Sequence, residues 1–90
     1  MTKDWKTISF VIRSRYRKLV LEKLNFPTTP TQLAKDLDIN KAHVSRALSE
    51  LIEKGLVKCL TPEARKGKIF ERTTKGIIIL KNIQKHRQSP

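Results

Sequence analysis

Acidic residues are scarce in this chain. Eight Asp and Glu stand against 20 Lys and Arg, a formal net charge of +12 over 90 residues. Residues 73–90 contain no acid at all. Such an imbalance governs solubility, steering and choice of partner, and it points to a polyanion, either nucleic acid or an anionic membrane surface. Cys59 is the single cysteine, so no intrachain disulfide can form and an intracellular, cytoplasmic setting is expected. Long apolar runs are missing too. The longest is Ile77 to Leu80, whereas a membrane-crossing helix needs about 20 residues. The opening MTKDWKTISF lacks the apolar stretch of a secretory signal. The two histidines, His43 and His86, lie far apart in sequence. No metal-ligand spacing, nucleophile–base set or phosphate-binding loop is recognisable, so no enzyme, metal or cofactor is expected.

What is present is one domain's worth of chain, with enough apolar residues for one modest core. It is expected over residues 1–84, with a loose tail at 85–90. The charge is unevenly spread. Residues 1–25 hold seven cations and two acids, and residues 26–54 hold four of each. Residues 55–72 and 73–90 are again strongly basic. A neutral block between basic flanks is the layout of a reading element with electrostatic clamps beside it.

Trp5 to Leu24 has helical periodicity. Trp5, Ile8, Val11 and Ile12 share a face that Leu19, Val20, Lys23 and Leu24 continue. Ser14 is a candidate cap and places a break near Arg13. Pro27 disfavours helical geometry at Phe26. Thr29-Pro30-Thr31-Gln32 reads as a helix start, with Thr29 as cap, Pro30 in the first position and Gln32 completing a capping box. That short helix turns Leu33, Ala34 and Leu37 inward and ends near Asp38. Asn40 caps the next helix, which runs from Lys41 to about Lys54 and stops at Gly55. Its inward stripe is Val44, Ala47, Leu48, Leu51 and Ile52. Leu56–Leu60 and Lys68–Arg72 read as a hairpin around a turn-rich loop, Thr61 to Gly67. Thr73 or Thr74 then caps a last helix, from Lys75 to about Gln84. The expected class is mainly α with a small β-hairpin, in the order α-α-α-β-β-α. Its centre is two helices joined by a three- or four-residue turn, the helix-turn-helix spacing.

The strings TPTQLAKDLDINKAHVSRALSELIEKGLVK and RKGKIFERTTKG resemble winged helix-turn-helix transcription regulators of the MarR/ArsR-like kind, especially small archaeal ones. The resemblance covers Ser14 to Leu80. It is fairly specific for the fold and much less so for the regulated target. It implies that the helix after the turn enters the DNA major groove, with the hairpin tip on the backbone or in the minor groove. One departure is that metal-sensing members carry clustered Cys and His, which this chain lacks.

Projected at 100° per residue, the helix from Lys41 places Ala42, Arg46, Ser49 and Glu53 opposite its apolar stripe, with His43 and Ser45 on the flanks. Ala42 is small enough for close approach to base edges. Arg46 can hold guanine bidentately, and His43 or Ser45 can add hydrogen bonds. Glu50 and Glu53 would repel phosphate, so the N-terminal half is the part expected to enter the groove. Thr31, Gln32, Asn40 and Lys41 complete the candidate DNA-contacting set on this side; the alternative is a solvated helix face. Arg65, Lys66 and Lys68 exceed what solubility asks of a hairpin tip and suit phosphate or minor-groove contact.

Arg13, Arg15, Arg17 and Lys18 crowd the start of a helix, where cations oppose the helix dipole. Either a phosphate bound near Ser14, Arg15 and Arg17 relieves this, or internal salt bridges do, to Glu22 or to acids elsewhere. Cys59 reads as a small buried hydrophobe rather than a redox thiol. Trp5, Ile8, Phe10, Ile78, Ile79 and Ile83 either cover the core or build a homodimer interface. The expected function is sequence-specific binding of double-stranded DNA to regulate transcription, without membrane, metal or cofactor. An RNA-binding winged helix and a protein-interaction module are the alternatives.

Overall fold

The structure is a computed structural model and describes residues 4–87. The elements are α1 (Trp5–Ile12), α2 (Arg15–Lys23), α3 (Pro30–Leu37), α4 (Lys41–Glu53), β1 (Val57–Cys59), β2 (Phe70–Arg72) and α5 (Thr74–Arg87). This is one helix more than the expected order, because the break at Arg13-Ser14 is complete. Ser14 is extended, and its Oγ accepts the Arg17 N–H at 3.3 Å. Asp4 caps α1 in the same way, accepting from the Thr7 N–H at 3.1 Å and the Thr7 hydroxyl at 2.6 Å. These two hydrogen bonds hold the Asp4 carboxyl below its usual range.

Thr29 caps α3 as the sequence predicts, accepting from the Gln32 N–H, with Pro30 in the first turn. The capping box is only half made, because the Gln32 amide donates to Asp36 at 2.8 Å. Asp38 ends the helix in the left-handed region, at φ 55°, and the turn from Asp38 to Asn40 leads into α4. Asn40 Oδ1 accepts the Ala42 N–H at 2.8 Å. Gly55, at φ 75°, closes α4 by letting the Leu56 N–H reach Leu51 O. The strands are shorter than the expected Leu56–Leu60 and Lys68–Arg72. They pair antiparallel, with Val57 opposite Arg72 and Cys59 opposite Phe70. Thr28 adds a bridge to the free side of β2, exchanging hydrogen bonds of 3.1 and 2.8 Å with Phe70.

One core joins all the helices to the hairpin: Ile8 and Val11 of α1, Val20 and Leu21 of α2, Leu33 of α3, and Val44, Ala47, Leu48 and Leu51 of α4. Leu56, Val57 and Phe70 close it from the hairpin, and Ile79, Leu80 and Ile83 from α5. Ile52, expected inward, is exposed. Thr73 seats α5 on the end of α4. Its hydroxyl donates to Gly55 O at 2.6 Å and accepts the Gly76 N–H at 3.1 Å. Gly76 is required at this seat, since a Cβ there would lie 2.1 Å from Leu56 O. Helix α5 continues to Arg87, beyond the expected end near Gln84. Residues 88–90 of the expected tail lie outside the described residues.

Candidate nucleic-acid interface

Helix α4 buries one stripe and leaves the rest of its surface uncovered. Lys41, Ala42, His43, Ser45, Arg46 and Ser49 are all exposed, as the projection from sequence predicts. Thr31 and Gln32 are exposed on α3. The Gln32 amide is already held by Asp36. Asn40 uses its side-chain oxygen as the cap, which leaves its NH₂ to donate elsewhere.

The start of α2 lies against this helix. Arg17 Nε donates to Glu50 Oε1 at 3.0 Å, its Nη1 donates to the Phe10 carbonyl at 2.6 Å, and its guanidinium stacks 3.8 Å from the centre of the Phe10 ring. Of the crowded cations, Arg17 is thus held in an internal ion pair, with Glu50 as its partner. Arg17 thereby spends its guanidinium on protein partners, and the Ser14 hydroxyl is occupied as an acceptor. Arg15 remains exposed. The pairing also changes the reading of Glu50. The hydrogen bond from Arg17, with the charges of Arg17 and Arg46, holds its carboxyl below the usual range. Its negative charge is countered on the spot.

Beside this pair, Tyr16 and His43 stack face to face, with ring centroids 4.3 Å apart and planes 6° from parallel. The two rings, Ser14, Arg17, Arg46 and Glu50 line an open recess of about 290 Å³ between α2 and α4. Tyr16 was not among the residues singled out from sequence. The available signal was an aromatic side chain set among cations, in RSRYRK.

On the wing, Arg65, Lys66 and Lys68 are exposed around Gly67, whose φ of 66° turns the tip. Lys58 is engaged across the hairpin by Glu71 at 3.5 Å. Cys59 is half-buried against the core. Among the described residues, no three His, Cys, Asp or Glu side chains gather where a metal ion would be held. No helix there is long and apolar enough to cross a membrane.

The apolar residues assigned to a second copy divide into two groups. Ile8, Ile79 and Ile83 are each 3% exposed and belong to the core of the monomer, so they offer no surface to a partner. Trp5 and Ile78 are about half exposed, as are Ile12 and, slightly less, Ile77. Phe10 is half-buried under Arg17 and Lys54.

No protein-family model and no curated protein sequence matches this chain. Solved structures do. A mutant MarR from E. coli complexed with operator DNA superposes with a TM-score of 0.73 at 25% identity, over 89% of this chain and 59% of that one. A MarR family transcription regulator gives 0.75 at 24% identity, over 91% and 59%. The reduced form of the transcriptional regulator YodB from B. subtilis gives 0.78 at 18% identity, over 97% and 88%. The fold is thus the winged helix of MarR-family transcription regulators. The chain spans 53–60% of the length of several of these structures.

Proposed function

We propose that this protein regulates transcription by binding duplex DNA at a chosen sequence. One observation carries the reading. The uncovered face of α4 from Lys41 to Ser49 bears hydrogen-bonding side chains and no acid, and the nearest acid beyond it, Glu50, is already paired. A helix entering the major groove needs such a face, because base edges are read by donors and acceptors while phosphates repel carboxylates. Arg46, His43 and Ser45 read bases, and Ala42 lets the helix come close. Thr31, Gln32, Asn40, Lys41 and Ser49 flank them. Arg65, Lys66 and Lys68 of the wing, with Arg15, supply affinity through the backbone. The operator-bound neighbour supports duplex DNA over RNA.

In the same reading the working unit is a homodimer. Trp5, Ile12, Ile77 and Ile78 form its apolar contact, and two α4 helices read half-sites about one helical turn apart, roughly 34–36 Å. Selection of bound sequences from a random duplex library tests the function. A recurring motif that Arg46→Ala degrades at one position by about 1–3 kcal/mol is the expected result. Binding without sequence preference, or preference for structured RNA at equal salt, overturns it. Sedimentation of the wild type beside a Trp5→Ala/Ile78→Ser variant tests the dimer. A wild-type monomer at tens of micromolar would remove it.

A further inference from the structure

The stack of Tyr16 on His43 joins two elements that the reading of α4 treats separately. Tyr16 sits in the first turn of α2 and is anchored against the core. His43 is the third residue of α4 and is exposed. With planes 6° apart and centroids 4.3 Å apart, one face of the imidazole is covered while the residue as a whole stays exposed. An exposed histidine with no such neighbour samples its rotamers and loses that freedom on binding. Here the rotamer is set in advance by a residue outside the reading helix. Arg46 lies one turn further along α4 and lines the same recess, so the imidazole edge and the guanidinium are neighbours.

We propose that Tyr16 is a specificity-determining residue that acts by positioning: it holds His43 edge-on to a purine N7 beside the base pair contacted by Arg46. An imidazole N–H donates to that acceptor, which only purines present in the major groove. The proposal rests on the duplex-DNA reading above and assigns part of the sequence choice to α2.

The test compares Tyr16→Phe, which keeps the ring, with Tyr16→Leu, which keeps an apolar side chain and removes the aromatic face. Each is measured in two ways: by the proton shifts of the His43 ring, and by affinity across duplexes randomised around the site the wild type selects. The expected result is that Tyr16→Phe retains the upfield ring-current displacement of the His43 protons and the full preference. Tyr16→Leu loses both, with preference at one base pair falling about 2- to 10-fold, the range set by immobilising one side chain. Preference at the base pair read by Arg46, and affinity for unrelated duplex, stay as in the wild type. His43→Leu should flatten the same base pair, and the double variant should add nothing; Tyr16→Met takes the place of Tyr16→Leu in both arms if the leucine variant fails to fold. Uniform loss across all sequences, or an unchanged profile in Tyr16→Leu, overturns the proposal alone. A wild type that selects no duplex sequence overturns the function reading and the proposal together.

Discussion

Two cationic clusters of similar size, at the start of α2 and at the tip of the wing, differ in this fold through one member of the first. In the first, Arg17 turns inward and is consumed by Glu50, the Phe10 carbonyl and the Phe10 ring. In the second, Arg65, Lys66 and Lys68 stand exposed, and among the described residues they enter no ion pair. The clusters look alike in sequence, and the difference comes from tertiary structure alone. Helix α4 brings a carboxylate to α2 across 33 residues of sequence. Glu63 lies within the wing loop, and Glu71 on β2 is taken by Lys58. Net charge therefore reports how many cations a chain has, not how many can meet a polyanion.

The comparison is broken most forcefully by salt. If Lys41 and Arg15 add their contacts to those of the wing, five phosphates are engaged. Affinity then falls about 500-fold between 50 and 200 mM salt. If the wing alone touches backbone, three contacts give a fall of roughly 40-fold. Titration of a labelled duplex at several salt concentrations separates the two.

The wing is placed only as well as its base, and the base rests on the seat of α5. Gly76→Ala puts a Cβ against Leu56 O, which must displace either the helix or the start of β1. Thermal unfolding should show a loss of about 1–3 kcal/mol, the usual cost of overpacking.

A paired experiment sharpens the contrast. Arg17→Ala should lower stability by about 1–3 kcal/mol, through a lost charged hydrogen bond and ring contact, and should leave the salt slope of binding unchanged. Lys66→Ala should do the reverse. Stability stays within about 0.5 kcal/mol, and the salt slope falls by about one. Equal effects on both measurements from both variants would erase the distinction between the clusters.

How far the sequence carried this contrast depends on the range of each interaction. Caps are local, so Ser14, Thr29 and Asn40 placed the helix starts correctly, as Gly55 placed the end of α4. The exposed face of α4 followed from helical periodicity. What failed was long-range. A run such as Ile77 to Leu80 has no phase of its own, and only packing decides that Ile79 and Leu80 point inward while Ile77 and Ile78 do not. The pairing of Arg17 with Glu50 and the stack of Tyr16 on His43 join residues more than 25 positions apart. The bridge from Thr28 to Phe70 is a single residue pair and leaves no alternation to detect.

The smallest expected effect is on acid stability. Glu50 has a folded-state pKa below its unfolded one. Its ion pair therefore contributes fully above the ordinary carboxylate range and is lost as pH falls through the lowered folded value. Glu50 is about one-third exposed, so solvent screening limits the contribution to roughly 0.2–1 kcal/mol. Denaturant titrations at neutral pH and below pH 4 should differ by that much less in Glu50→Gln than in the wild type.

The bridge between Thr28 and Phe70 has a consequence for how such a protein acquires new targets. Thr28 directly precedes the cap of α3, and Phe70 opens the returning strand of the wing. Two hydrogen bonds thus clamp the entrance of the helix pair to the hairpin. Under the proposed function, α4 and the wing would behave as the two jaws of one calliper, set to a fixed opening. A duplex whose helical parameters do not match that opening would then be refused at both jaws together, before any base is inspected. Divergence toward a new site would then proceed by exchanging side chains on the jaws, while the width of the gauge stays constant.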